Sequence, residues 1–263
     1  MRTDLDRLLA TGYVVEFDER FDAGELDRSR WIPRHLPQWS TAERSAARYA
    51  LVDGVLHLLI EADQDPWAPA YDGDTRVSSL QTGVLAGPLG SAIGQHRFRP
   101  DAVVCEEQEN RHLYAPHFGV IATRARATAD PACMVALWMI GYEDTPEHSA
   151  EICVCEIFGT EVAAADALVG MGVHPFGDPS IVDDFEKVPV AIDVGDWHEY
   201  AVEWTPSRVR FFVDGTIVKT VEQAPQYPMQ LMLGIYAFGP LDPAGEYPKR
   251  FAVDWVRGYR LPD

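Results

Sequence analysis

Residues 149–159 read Ser-Ala-Glu-Ile-Cys-Val-Cys-Glu-Ile-Phe-Gly, which sets two carboxylates, Glu151 and Glu156, in an otherwise apolar run. An ionised carboxylate buried among apolar side chains is costly unless it is paired or used. Two such groups close together can serve displacement at the anomeric carbon of a sugar. One carboxylate then acts as nucleophile and the other first as acid and then as base.

Geometry decides whether the pair can meet. On an α-helix, positions five apart point about 140° away from each other. On a regular strand, Glu151 and Cys153 share a face and Glu156 falls on the opposite one. A single extra residue between Cys153 and Glu156, a β-bulge, restores the phase and brings all three to one cleft. The glutamates are then spaced like residues four apart, roughly 13 Å along the backbone at about 3.3 Å per residue. Inward-leaning side chains can close that span to the about 5–5.5 Å of a retaining glycosidase. From this segment alone, two glutamates exposed on an edge strand or paired with arginines remain the competing account. A zinc site from His148, Glu151, Cys153 and Cys155 would need a second Cys or His cluster, which the sequence lacks.

The elements that must position such a pair are strands. Short runs bounded by turn residues lie at 13–17, 51–60, 118–127, 133–140, 150–158, 198–204, 209–218, 229–236 and 251–259, and Asp214-Gly215 is the two-residue signal of a tight hairpin. Helical periodicity is confined to residues 4–10 and 162–168. Segments 63–75, 85–116, 171–189 and 240–248, rich in Pro, Gly and Asp, read as long loops on a rigid scaffold, where binding sites concentrate. The fold class expected is all-β, one sandwich over residues 1–263 with a short N-terminal segment at 1–12.

The chain has 263 residues, 47% hydrophobic and 24% charged, enough for a sizeable core and unlike a disordered or fibrous protein. With 41 acidic against 22 basic residues the formal net charge is −19, which disfavours nucleic acid and anionic membrane as partners. Four cysteines are too few for a disulfide framework, and no run reads as a signal peptide or membrane span, so the expectation from the sequence as written is a cytoplasmic monomer, or a secreted one if a signal was removed.

Glu151-Ile-Cys-Val-Cys-Glu156 resembles the Glu-x-Asp-x-x-Glu signature of glycoside hydrolase family 16, the laminarinase and agarase type with a bulged catalytic strand. Ala136-Leu-Trp-Met-Ile-Gly before it, Gly195-Asp-Trp-His-Glu-Tyr-Ala-Val-Glu-Trp and Phe211-Phe-Val-Asp-Gly after it, and Asp254-Trp-Val-Arg-Gly-Tyr near the end are similar to further pieces of that family in the same order. The likeness spans about residues 13–260.

This resemblance implies a concanavalin-like jelly roll of two antiparallel sheets, with Glu151 as nucleophile and Glu156 as general acid/base of a retaining, endo-acting hydrolase. The expected substrate is a β-linked polysaccharide or oligosaccharide, β-1,3-glucan by default, with transglycosylation as a variant and a glycan-binding protein of weak or no activity as the alternative. Cys153 departs from the family's Asp, which normally tunes the nucleophile. Trp138 is expected to line the sugar cleft, Trp39, with Trp31 and Trp67 from the same N-terminal loops, to contribute a second wall, and His174 to hydrogen-bond Glu156 or the sugar. No cofactor is expected for catalysis, while Asp254 matches the position that holds a structural calcium in many relatives.

Overall fold

Residues 2–261 are described by the computed structural model. Sixteen strands follow the short helix α1 (Asp4–Leu9): β1 Val14–Glu19, β2 Arg48–Val52, β3 Val55–Ile60, β4 Arg76–Gln81, β5 Gly83–Val84, β6 Arg111–His112, β7 Gly119–Arg126 and β8 Cys133–Gly141, then β9 Glu151–Phe158, β10 Ala167–His174, β11 Asp184–Val190, β12 His198–Trp204, β13 Val209–Val213, β14 Thr216–Val221, β15 Met229–Ala237 and β16 Lys249–Arg260. Among the described residues they form a 6-stranded antiparallel sheet in the order β11-β10-β9-β8-β15-β4, and an 8-stranded one in the order β14-β13-β12-β7-β16-β3-β2 with β1 on β16. The β5–β6 pair stands apart. This is the jelly-roll sandwich expected from the sequence.

Strand alternation builds two hydrophobic layers from one set of strands. On β8, Val135, Leu137 and Met139 enter the core between the sheets, whereas Met134, Ala136, Trp138 and Ile140 face outward into a second cluster. On β15, Leu231, Leu233 and Ile235 face inward and Met232 and Tyr236 outward. The outer face would be wet if the sheet stood alone. Here Leu36, Trp39, Trp67, Ala102 and Val104, carried by connecting segments, cover it. The cover forms the walls of the site described below.

Several local expectations are corrected. The run 51–60 is not one strand but the hairpin β2–β3, turned at Asp53 and Gly54 with φ of 53° and 74°. Residues 162–168 form no α-helix, and 171–189 is not a free loop: β10 and β11 pair there over Ala167–Val173. Gly170, Gly172 and Pro189 disguised these strands. Pro189 is tolerated because β11 is an edge. Both glycines are required by close approach, since a Cβ on Gly172 would lie 2.1 Å from the Asp184 carbonyl oxygen.

Asp214 and Gly215 do form the β13–β14 hairpin, with φ of 47° and 72°. That turn also anchors α1: the Leu5 N–H donates to the Gly215 carbonyl, and Thr3 caps the helix through a hydrogen bond from the Asp6 N–H. A Cβ on Gly215 would lie 2.5 Å from Thr3 Oγ1. Gly215→Ala is therefore expected to cost about 1–3 kcal/mol through strain at positive φ and the displaced cap, lowering Tm by roughly 2–10 °C. Differential scanning calorimetry reads this, and an unchanged Tm would contradict the turn–helix coupling.

Candidate active site

On the outer face of the 6-stranded sheet, β9 is out of step with both of its neighbours. Cys153 pairs with Trp138 and Cys155 with Leu137, leaving Val154 without a partner on β8; across β10, Gly172 pairs with Cys153 and Gly170 with Glu156. This is the β-bulge between Cys153 and Glu156. Ile152, Val154, Cys155 and Ile157 all enter the core between the sheets, so two consecutive residues, Val154 and Cys155, point the same way. That doubling turns Glu156 back to the face of Glu151, and both line a cavity of about 220 Å³. Gly170, opposite Glu156, supplies the room: a Cβ there would meet Phe185 Cζ at 2.5 Å and Glu156 Cβ at 3.2 Å.

The cavity is further lined by His35, Trp67, Asp72, His96, Phe98, Met134, Trp138 and Tyr236. Trp138 presents one face and fixes its indole by donating from Nε1 to the Tyr236 hydroxyl at 3.0 Å. Trp67 donates to Asp72 at 2.6 Å. His35 is buried, edge-on to Trp67 and Tyr236. Burial holds its pKa down at about 3, so its ring is neutral at physiological pH.

Both glutamates are shifted upward. Burial, then the charges of Glu156 and Glu143, push Glu151 up to about 8. Burial also raises Glu156, opposed by the charge of His174, the thiol of Cys153 and the charge of Lys187. Raised, mutually repelling carboxyls in a cleft are the pattern of an acid–base pair, and the protons belong to the cluster rather than to one member. Cys153 stays a neutral thiol, its pKa driven well above the ordinary value by burial and the two carboxylates.

Sequence reasoning brought Glu151, Glu156, Cys153 and Trp138 to one place, and they are there. Two other expectations change, and Asp254 is paired within the sheet. Trp39 does not line the cavity; it is 1% exposed and donates to the Gln95 carbonyl at 2.7 Å, packing behind the wall. His174 faces Glu151 across the β9–β10 ladder, but its Nδ1 pairs with Asp183 at 2.5 Å and its ring stacks on Phe185. Its influence on Glu156 is thus by charge and not by a hydrogen bond. Asp254 sits where β16 slips register and is held by Arg124 at 2.5 Å. Among the described residues no group of three His, Cys, Asp or Glu side chains converges as a metal site.

His35, His96, Glu143 and Tyr236 were not anticipated. His96 lies in a segment read only as loop and Glu143 between two runs read as strands, and no local signal in the sequence marks either. Both adopt positive φ, 50° and 59°, and the His96 N–H donates to Glu143 Oε1 at 2.6 Å.

Comparison with known proteins agrees with this geometry. Residues 109–257 match the family model of glycosyl hydrolases family 16. The chain belongs to that family. Its match spans β6 to most of β16, and so includes the bulged strand. Among solved structures, the GlcNAcα1-4Gal releasing endo-β-galactosidase from Clostridium perfringens superposes with a TM-score of 0.81 at 26% identity, covering 95% of this chain and 63% of that one. The laminarinase catalytic domain from Thermotoga maritima gives 0.66 at 18% identity over 96% of this chain and 100% of that domain, a likeness of fold. Crh-like protein 5 from Aspergillus fumigatus is 33% identical over 91 residues, which is 31% of this chain and 22% of that protein.

The shifted carboxyl gives this family 16 chain a stability signature. Glu151 keeps its proton in the folded protein up to about pH 8, while the unfolded chain loses it near 4.5. Between those values the folded state binds more protons, so stability falls as pH rises, by at most about 1.4 kcal/mol per pH unit from this group. Glu151→Gln removes the penalty. Its Tm advantage over wild type is expected to grow from pH 5 to pH 8; an advantage that is constant or shrinks across that window would contradict the shift.

Proposed function

We propose that this chain is a retaining glycosidase acting within β-linked glycans, with Glu151 as nucleophile and Glu156 as general acid/base. The observation that carries this reading is the bulge, which turns two raised carboxyls into one aromatic-walled cavity. In the first half-reaction the Glu151 carboxylate attacks the anomeric carbon while Glu156 gives its proton to the departing glycosidic oxygen. Developing positive charge on the sugar favours the anionic form of Glu151, which draws the shared proton toward Glu156. In the second, Glu156 takes a proton from water, which displaces Glu151 with a second inversion and restores both groups. Trp138 gives the sugar's apolar face a rigid surface at low entropic cost.

For the substrate we favour a β-galactosidic linkage over β-1,3-glucan. The support is the greater likeness to the endo-β-galactosidase, 26% identity and a TM-score of 0.81, than to the laminarinase, 18% and 0.66. A panel of β-galactans, GlcNAcα1-4Gal-capped glycans, laminarin and lichenan tests this, with transfer to sugar acceptors scored beside hydrolysis. Glu156→Gln should lower kcat by about 10²–10⁴-fold on the best substrate. Proton NMR of the first-formed product should show a retained β anomer. An inverted product, or full activity of the Glu156 variant, would overturn the assignment, and binding without turnover of any β-glycan would leave a glycan-binding protein.

A further inference from the structure

Glu151 is 9% exposed, yet no hydrogen-bond donor among the described residues is aligned on its carboxylate. Cys153, its neighbour on the strand face, turns its thiol to Glu156 instead. The nearest candidate is His96, whose Nδ1 lies 3.3 Å from Glu151 Oε1, is buried, and has no aligned partner of its own. Two atoms that both carry outward lone pairs repel at that distance. Once Glu151 is ionised, the arrangement is favourable only with the ring proton on Nδ1.

We infer that His96 is a positioning residue, a neutral imidazole that donates from Nδ1 to Glu151 and holds the ionised carboxylate in line for attack. This rests on Glu151 being the nucleophile of the reaction proposed above. The hydrogen bond is long and poorly aligned in the free protein and closes when sugar fills the cavity, as catalytic hydrogen bonds commonly do.

The rest of the loop is built to hold that ring still. Gln95, wholly buried, takes the Leu85 N–H on its side-chain oxygen at 2.8 Å and donates to Gln230 at 2.6 Å. Its carbonyl accepts from Gln38 at 3.0 Å and from Trp39 at 2.7 Å. Pinned there, the chain enters the left-handed region at His96, and Glu143 takes the His96 N–H. The ring stacks on Phe176 with centroids 4.5 Å apart and meets Trp138 edge-on at 5.0 Å. Burial and the charge of His174 keep its pKa down at about 4, so the imidazole remains a neutral donor throughout the range in which a glycosidase would work. The charged or titratable groups around it are Glu143 on the β8–β9 connection, Glu151 and Glu156 on β9, His174 on β10 and His35.

Two substitutions with opposite strengths separate donation from packing. His96→Phe keeps the stack but has no donor; His96→Asn keeps an N–H near the position of Nδ1 but loses the ring. Donation predicts that Phe lowers kcat roughly 10- to 100-fold with KM little changed, and that Asn stays closer to wild type. The pH limb of kcat/KM that reports nucleophile ionisation should also move to higher pH in the Phe variant alone. The reverse order, with Phe active and Asn impaired, would overturn the inference and make His96 a packing residue. A readout independent of turnover is the ¹⁵N–¹H spectrum of the His96 imidazole in the wild-type protein at pH 9. Protonated Nδ1 and bare Nε2 are expected there; the Nε2–H tautomer would overturn the inference. Failure to turn over any glycan would count against the proposed function, and the tautomer would then decide the role of His96 alone.

Discussion

A strand has period two, and Glu151 and Glu156 differ by an odd number, so a regular β9 would send one carboxylate into the cleft and the other between the sheets. The inward site is lined by Leu137, Met139, Val169 and Met171, where an unpaired carboxylate would be severely penalised. Inserting Val154 removes the conflict at the loss of one ladder pairing, and both bulge residues are apolar enough to sit in the core. The cavity, the close approach of Gly170 and the electrostatics of the pair all depend on this one residue.

Once both carboxyls share a face, the surrounding fold determines how much charge they hold. The outer side of the sheet is roofed by Trp67, Phe98 and His96 and floored by Met134, Trp138 and Tyr236, so burial is the leading cause of every upward shift there. Histidines in the same space are pushed the other way and stay neutral. The site thus combines proton-retaining carboxyls with imidazoles that do not compete for those protons. The charges of His174 and Lys187 lower Glu156 and so make the two carboxyls unequal.

Parity showed that the two glutamates could share a face only through a bulge, and the resemblance to family 16, not the alternation on β8, pointed to that bulge and to Trp138. β10 and β11 were hidden by glycines and a proline whose use is close packing or an edge position, which local propensity scores as loop. Trp39 was misplaced because an indole in a loop reads alike whether it faces sugar or, as here, holds Gln95. His96 and Glu143 could not have been found: their meeting depends on two loops, at 94–98 and 141–143, arriving over β9 from distant parts of the chain. Asp254 kept its place in the closing strand, but nothing in one sequence reveals that Arg124 would claim it.

The division of labour between the two glutamates is the claim from which the rest of the functional account follows. It is tested most directly by incubating the protein with an activated 2-deoxy-2-fluoro β-glycoside built on its best substrate, then sequencing the labelled peptide by mass spectrometry. The account predicts a single glycosyl ester on Glu151, formed as the aglycone is released. An ester on Glu156, or rapid turnover to an inverted product with no ester at all, would contradict it.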